Sequence, residues 1–206
     1  MGKILLIRHG ETEMGNPPRY CGSTDAMLSE RGKDQAKLIA ERLADTEIDT
    51  LIVSPMTRCQ HTAKEISKLQ SAALDAETVD DLREVDFGEW EGLSFDEICR
   101  EFGEESKEWF ANPNAFRFPG GESVEEFTSR VSAATERVVG REGTVAVVVH
   151  AGVIKVMICH LCGFGMDKMH SFSLSAASLS VLNDYKGLMV IRSVNDTCHL
   201  NAKGEG

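Results

Sequence analysis

Three short runs of uninterrupted apolar residues punctuate the chain: Ile4-Leu5-Leu6-Ile7, Leu51-Ile52-Val53 and Val145-Ala146-Val147-Val148-Val149. Runs of this length, apolar at every position, suit strands buried on both faces, as in a parallel sheet. Helical patterns lie between them. Ser29 is placed to cap a helix whose inner face is Ala36, Ile39, Ala40 and Leu43. Ser54-Pro55 predicts another helix start, Ser as N-cap and Pro at the first position, with Cys59, Ala63 and Ile66 inward. Ser94-Phe95-Asp96-Glu97 and Ser123-Val124-Glu125-Glu126 read as capping boxes. Leu93 and Ile98 would staple the first, and the second would open a helix through about Val139. Ala151–Cys162 predicts an apolar helix closed by Gly163. Alternation in Phe172, Leu174, Ala176, Leu179 and Val181 predicts a strand. A turn at Asp184–Gly187 leads to a last strand near Leu188–Val194. Strands alternating with helices indicate an α/β fold with a mostly parallel central sheet.

One stretch resists this reading. Glu104–Glu122 is weakly patterned, carries Trp109, Phe110, Phe116 and Phe118, and ends in Pro119-Gly120-Gly121. It is expected to be a loop covering the functional site, because long ordered loops in compact domains are often functional. The end of the chain, 203–206, is expected to fray.

Composition narrows the function classes. The chain has 206 residues, 42% hydrophobic and 27% charged, which suits one folded domain with a sizeable core. Its net charge is −11, which disfavours nucleic acid or an anionic membrane as a partner held by bulk charge. An anionic ligand would need a local basic pocket. The 6 cysteines suit a reducing compartment. Cys159-His160-Leu161-Cys162 has no second CxxC to complete a metal site, and packing is the preferred reading. No cleavable signal or membrane-length apolar run is read, so a cytoplasmic address is expected.

In open α/β sheets, ligands bind beyond the carboxyl ends of the strands. The first strand delivers Arg8, His9 and Gly10 there; the second delivers Ser54 and, a helical turn on, Arg58; the Val145–Val149 strand delivers His150. Two arginines and two histidines from three strand ends point to an anion site. Guanidinium suits phosphate, being planar, permanently charged and able to bind two oxygens at once. A histidine among such groups can act as nucleophile or proton donor. This pattern alone leaves open whether His9 or His150 attacks. Nucleotide motifs (GxGxxG, GxxxxGK[ST]) and the GxSxG nucleophile elbow are absent.

The motifs resemble, in order, those of the histidine phosphatase superfamily, also called phosphoglycerate-mutase-like. The match runs through Ile4–Thr12 with Arg8-His9-Gly10, Arg19–Gly22, Leu28–Gly32, Ser54–Arg58, Leu82–Gly92 and His150–Ile154. The resemblance implies a three-layer α/β/α sandwich and a single histidine phosphatase domain over 1–206. It assigns the attack on phosphorus to His9, giving a phosphohistidine. It assigns charge stabilisation to Arg8, Arg58 and a charged His150, and acid–base work to Glu84, whose pKa would be raised near Val85, Phe87 and Trp90. Substrate binding falls to Asn16, Arg19, Cys21, Gly22 and Ala151. No metal or cofactor is implied, since the arginines neutralise charge. The family's usual Asn six residues after the nucleophile is here Gly15, followed by Asn16.

The superfamily holds both phosphatases and mutases. The extra cations and the hydroxyl of metabolic mutases are replaced here by Trp109-Phe110-Ala111 and Phe87, which favours hydrolysis of a phosphomonoester. The blocks Asp86–Gly92 and Phe118–Ser123 are similar to α-ribazole phosphatases, broad-specificity members and a fructose 2,6-bisphosphate phosphatase. The expected partner is a small phosphorylated metabolite, with α-ribazole 5′-phosphate among the candidates. The alternatives are a phosphoglycerate mutase, a sugar bisphosphatase, or a catalytically silent phospho-ligand-binding protein. The aromatics of 109–118 suit either a flat base or packing against the sheet. Apolar positions on the last strands leave a homodimer open. The basic groups are expected to converge in one cleft despite the acidic whole.

Overall fold

The computed structural model describes residues 2–15, 17–72 and 74–201. A six-stranded sheet has the order β3-β2-β4-β1-β5-β6. Its strands are β1 (Gly2–Arg8), β2 (Thr50–Val53), β3 (Ala76–Thr78), β4 (Thr144–Val149), β5 (Leu179–Tyr185) and β6 (Leu188–Asp196). The strands from β3 to β1 are parallel; β5 and β6 are antiparallel additions on the β1 side. The helices are α1 (Glu30–Leu43), α2 (Thr57–Lys68), α3 (Phe95–Glu101), α4 (Gly103–Ala111), α5 (Val124–Thr135) and α6 (Ala151–Cys162).

The uninterrupted apolar runs have a direct structural cause. Successive side chains of a strand point to opposite faces. Leu5 and Ile7 therefore join Leu51, Val53, Ala146 and Val148 beneath α1 and α2. Ile4 and Leu6 join Ile52, Val145, Val147 and Val149 on the other face, beneath α5 and α6. Both faces are covered, giving the three-layer α/β/α sandwich, and each buried Val, Leu or Ile side chain contributes about 1.5–3 kcal/mol.

Helix ends follow their predicted chemistry in most places. Ser29 accepts from Gly32 N, and the boxes at Ser94 and Ser123 are both formed. Leu93 and Ile98 both pack on the core, as a staple requires. Gly163 closes α6 in the left-handed region, φ 68°, which glycine tolerates without steric cost.

Several expectations need correction. Ser54 does not cap α2. That helix starts at Thr57, whose N–H and hydroxyl both donate to Asp25 from a distant loop. The helix from Ser123 ends at Thr135 rather than near Val139, because i→i+3 bonds from Arg137 and Val138 tighten the chain into a turn. The strand predicted from Phe172 begins only at Leu179, and 166–171 form 3-10 turns. The stretch 104–122 is not one loop: α4 fills its first half, and a 3-10 turn covers Pro113–Ala115. The fraying expected at 203–206 lies outside the described residues.

The aromatics of that stretch divide. Phe116 and Phe118 pack on the buried Trp90 and Trp109 packs on both of them, with ring centroids between 5.1 and 5.4 Å among the pairs Trp90–Phe116, Trp90–Phe118, Trp109–Phe116, Trp109–Phe118 and Phe116–Phe118. Phe110 alone of the four is largely exposed, at 66%. Phe118→Ala should cost about 3–5 kcal/mol in urea unfolding, and Phe110→Ala less than about 0.5 kcal/mol. Equal losses would contradict this division.

Candidate active site

The site follows from strand register. Arg8, the last residue of β1, pairs with Val149, the last of β4, and His9 N–H donates to Val149 O at 3.1 Å. The two chains leave the sheet side by side, so His9 and His150 meet edge to face with ring centroids 5.1 Å apart. β2 ends alongside, Ser54 N–H donating to Val148 O at 3.1 Å. Ser54 and Arg58 thereby reach the same cluster.

His9 Nδ1 lies 2.7 Å from Gly10 O. A carbonyl only accepts, so Nδ1 carries the proton and Nε2 is the basic nitrogen of the neutral ring. Burial, and then Arg8 and Arg58, push the His9 pKa well below its ordinary 6.5. Gly10 N–H donates to Thr62 Oγ1 at 3.4 Å, which ties this turn to α2.

His150 is fully buried behind His9. Arg58 Nε–H donates to His150 Nδ1 at 3.3 Å, and His150 Nε2 lies 2.8 Å from Ser54 Oγ. Only a neutral ring protonated at Nε2 satisfies both contacts. Burial, with His9, Arg58 and Arg8 adding, pushes its pKa well below 6.5. The charged form expected from the sequence is therefore not the form these surroundings favour.

Arg58 is buried as well, its Nη groups donating to Thr24 O and Gly22 O at 2.8 Å each. Arg8 donates to Leu174 O through Nη1, while its buried Nε has no partner among the described residues. Neither arginine is ion-paired to a carboxylate among the described residues, in contrast to Arg19, Arg117 and Arg130. An unpartnered buried donor beside an unneutralised guanidinium is the setting that an anionic ligand completes.

A cavity of about 540 Å³ opens over this cluster. Arg8, His9 and Glu84 line it together with Met14, Pro18, Tyr20, Cys21, Phe87 and Phe95. Arg58 and His150 stand behind this wall. Glu84 reaches the site from an irregular segment, its carboxylate accepting from Gly152 N at 3.0 Å and from Val85 N at 3.1 Å. Residue 152 must be glycine for this approach, because a Cβ there would meet Glu84 Oε1 at 2.4 Å.

The expected substrate-binding residues fare unevenly. Cys21 and Arg19 are on the cavity wall. Arg19 is engaged, bonding Glu97 at 2.7 Å and Gly92 O at 2.6 Å. The Ser94 amide and Arg19 hold the Glu97 carboxyl down to about 2. Gly22 N–H is taken by Glu91 at 3.0 Å. Ala151 opens α6 beside Glu84's anchor but does not line the cavity. Asn16 lies outside the described residues. No residue of 104–122 lines this cavity; Phe110 meets its rim through Phe95, at 5.4 Å between centroids. Cys159 packs in the core and Cys162 against it, both as free thiols.

Sequence reasoning missed Ser54 as a partner of His150, because Ser-Pro carries an equally good local capping signal. It also missed Glu91, whose carboxylate gathers the amides of Gly22, Ser23, Thr24 and Phe87. Those contacts span more than sixty positions in the chain for the loop 22–24, and no local pattern announces them.

Comparison with known proteins agrees with the geometry. The model of the histidine phosphatase superfamily, branch 1, matches residues 4–197. The chain belongs to that superfamily and is a phosphatase. It is 37% identical to phosphoserine phosphatase 1 of Hydrogenobacter thermophilus, over 97% of this chain and 95% of that protein. A bifunctional protein of Mycobacterium tuberculosis is 36% identical over 96% of this chain, which spans 55% of that longer relative. The structure of a putative alpha-ribazole-5′-P phosphatase from Escherichia coli superposes with a TM-score of 0.87 at 26% identity, covering 94% of this chain and 96% of that one. No helix among the described residues is long and apolar enough to cross a membrane.

The buried neutral histidines give a pH prediction. Their folded pKa values are depressed below the ordinary 6.5. Below about pH 6.5 the unfolded chain binds protons that the folded chain refuses, so acid destabilises by up to about 1.4 kcal/mol per pH unit for each ring. Urea unfolding between pH 7.5 and 5 should show this loss, and His150→Asn should flatten it. An unchanged slope in the variant would contradict the assignment.

Proposed function

We propose that the protein is a metal-independent phosphomonoesterase that works through a phosphohistidine. The observation that carries this is the His9 tautomer: proton held on Nδ1 by Gly10 O, Nε2 free to attack, on the cavity wall beside Arg8. In the first step, His9 Nε2 bonds to phosphorus as the P–O bond to the leaving group breaks, and Glu84 gives its proton to the departing oxygen. In the second, water attacks phosphorus while Glu84 takes its proton. The N–P bond breaks, its electron pair returns to Nε2, and inorganic phosphate leaves. Arg8 and Arg58 supply permanent positive charge to the oxygens in both transition states. A phosphate dianion brings the negative charge that His150, set among Arg58 and Arg8, lacks.

The cavity supports a monophosphate on a flat, largely apolar body. Met14, Pro18, Tyr20, Phe87 and Phe95 form much of its wall. Among the described residues, the cationic side chain on that wall beyond Arg8 is Arg19, already engaged by Glu97. A second phosphate would be poorly matched, which speaks against bisphosphates. α-Ribazole 5′-phosphate is the leading candidate, in line with the Escherichia coli neighbour. O-Phosphoserine is the second reading. It is favoured by the 37% relative and by Glu11 on the wall, whose carboxylate suits an ammonium group.

Turnover of p-nitrophenyl phosphate should survive EDTA and vanish in His9→Ala. An acid-labile phosphoenzyme should form only with His9 present. A panel with α-ribazole 5′-phosphate, O-phosphoserine and fructose 2,6-bisphosphate should rank the first highest in kcat/KM. Phe95→Ala should lower kcat/KM for the flat ester by about tenfold, the scale of one lost apolar contact, and spare O-phosphoserine. Turnover of no phosphomonoester would sink the enzyme reading, and primer-dependent isomerisation of 3-phosphoglycerate would replace it with a mutase.

A further inference from the structure

Glu84 belongs to no helix or strand; it follows the 3-10 turn Asp80–Leu82. Open space flanks it on two sides. One is the cavity beside His9; the other is a second cavity of about 400 Å³ whose walls include Arg83, Asp86, Glu122 and Arg130. Leu82 and Val85 are packed in the core on either side, but Glu84 between them faces open space and is not itself fixed by close packing. Hydrogen bonds set the position of Glu84 between these two anchors.

Arg130 of α5 provides them. Nη1 donates to Asp81 O at 2.8 Å and to Arg83 O at 2.9 Å. Nη2 donates to Glu84 O at 3.0 Å and to Glu122 Oε2 at 2.9 Å, and Nε donates to Glu122 Oε1 at 2.7 Å. A guanidinium has five N–H donors in a fixed plane, and each of these has an acceptor. The Glu122 carboxylate also accepts from Asp86 N at 3.4 Å, on the far side of Glu84. The Arg130 and Glu122 side chains are only 17% and 15% exposed. Their platform is rigid: α5 starts in the Ser123 capping box and packs Phe127 and Val131 into the core, and the Arg130 guanidinium sits 5.0 Å from the Phe127 ring centroid.

We propose that Arg130, oriented by the Glu122 carboxylate, is the positioning residue for Glu84. It pins the main chain on the amino-terminal side of Glu84, while Gly152 N–H holds the carboxylate itself. The two together set where the acid meets the leaving oxygen. The inference rests on the reading of Glu84 as general acid. Lysine cannot replace Arg130, because one ammonium group cannot span three carbonyls and a carboxylate in a fixed plane.

Leaving-group dependence tests this. A positioned acid matters for an ester whose leaving oxygen is basic, and little for one that departs unprotonated. kcat/KM, which reports only steps through leaving-group departure, would be measured for 2,4-dinitrophenyl phosphate, p-nitrophenyl phosphate, phenyl phosphate and an alkyl phosphate. The proteins would be wild type, Glu84→Gln, Arg130→Met, Arg130→Lys and Glu122→Gln, each checked for folding by circular dichroism. Arg130→Met and Arg130→Lys should lose about 10–100-fold on phenyl and alkyl phosphate and less than about threefold on the dinitrophenyl ester, the scale of a misplaced catalytic group. Glu84→Gln should show the same trend more steeply. Should Arg130→Met not fold, Arg130→Lys and Glu122→Gln carry the test, the latter with the same trend in smaller measure. If Glu84→Gln is leaving-group dependent but the foldable Arg130 and Glu122 variants lose equally on every ester, Arg130 is a structural staple and the inference falls alone. If Glu84→Gln itself slows every ester equally, the acid reading falls and takes the inference with it.

Discussion

The parallel pairing of β1 with β4 carries the site. Register puts Arg8 opposite Val149, so His9 and His150 emerge together from adjacent strands. The apolar run Ile4–Ile7 is bounded by Lys3 and Arg8, and a slip of one residue would draw a charged side chain into the core. The same burial that fixes the register fixes the ionisation of the two rings. Both are taken from water and set among arginines, and both are neutral as a result. The histidine at the first strand end thus has an available lone pair, and the core of the sheet is what keeps it available.

The acidic whole and the cationic site are consistent once partners are counted. Arg19, Arg117 and Arg130 are neutralised by Glu97, Glu126 and Glu122. Arg8 and Arg58 are held instead by main-chain carbonyls, which orient a guanidinium without cancelling its charge. The acidic residues Asp96, Glu101, Glu104, Glu105 and Glu125 lie exposed on α3, α4 and α5. Unneutralised positive charge thus gathers at the strand ends, while the surfaces of these helices are acidic.

Much of this was legible from the chain. Apolar runs located β1, β2 and β4, and the residues following each run were the basic groups of the site. β3 escaped because Ala76–Thr78 is three exposed residues with no apolar alternation. α4 escaped because Ser106 and Trp109 are too few inward positions to show a helical period. Ser54 was read as a cap because its local pattern is that of one, yet its hydroxyl serves His150 and the helix is capped by Asp25. Glu84 stood out only through resemblance to a family. Its segment has no period, and the groups that hold it, Gly152 and Arg130, lie 68 and 46 positions away. Long-range hydrogen bonds leave no local trace in sequence, whereas strand burial does.

The proposed chemistry depends on which nitrogen of His9 carries the proton. Long-range ¹H–¹⁵N correlation spectra of the imidazole rings, recorded on the unliganded protein at pH 7, report this directly. The structure predicts a neutral His9 with a protonated Nδ1 and an unprotonated Nε2. A His9 ring protonated at Nε2, or carrying protons on both nitrogens at pH 7, would contradict it.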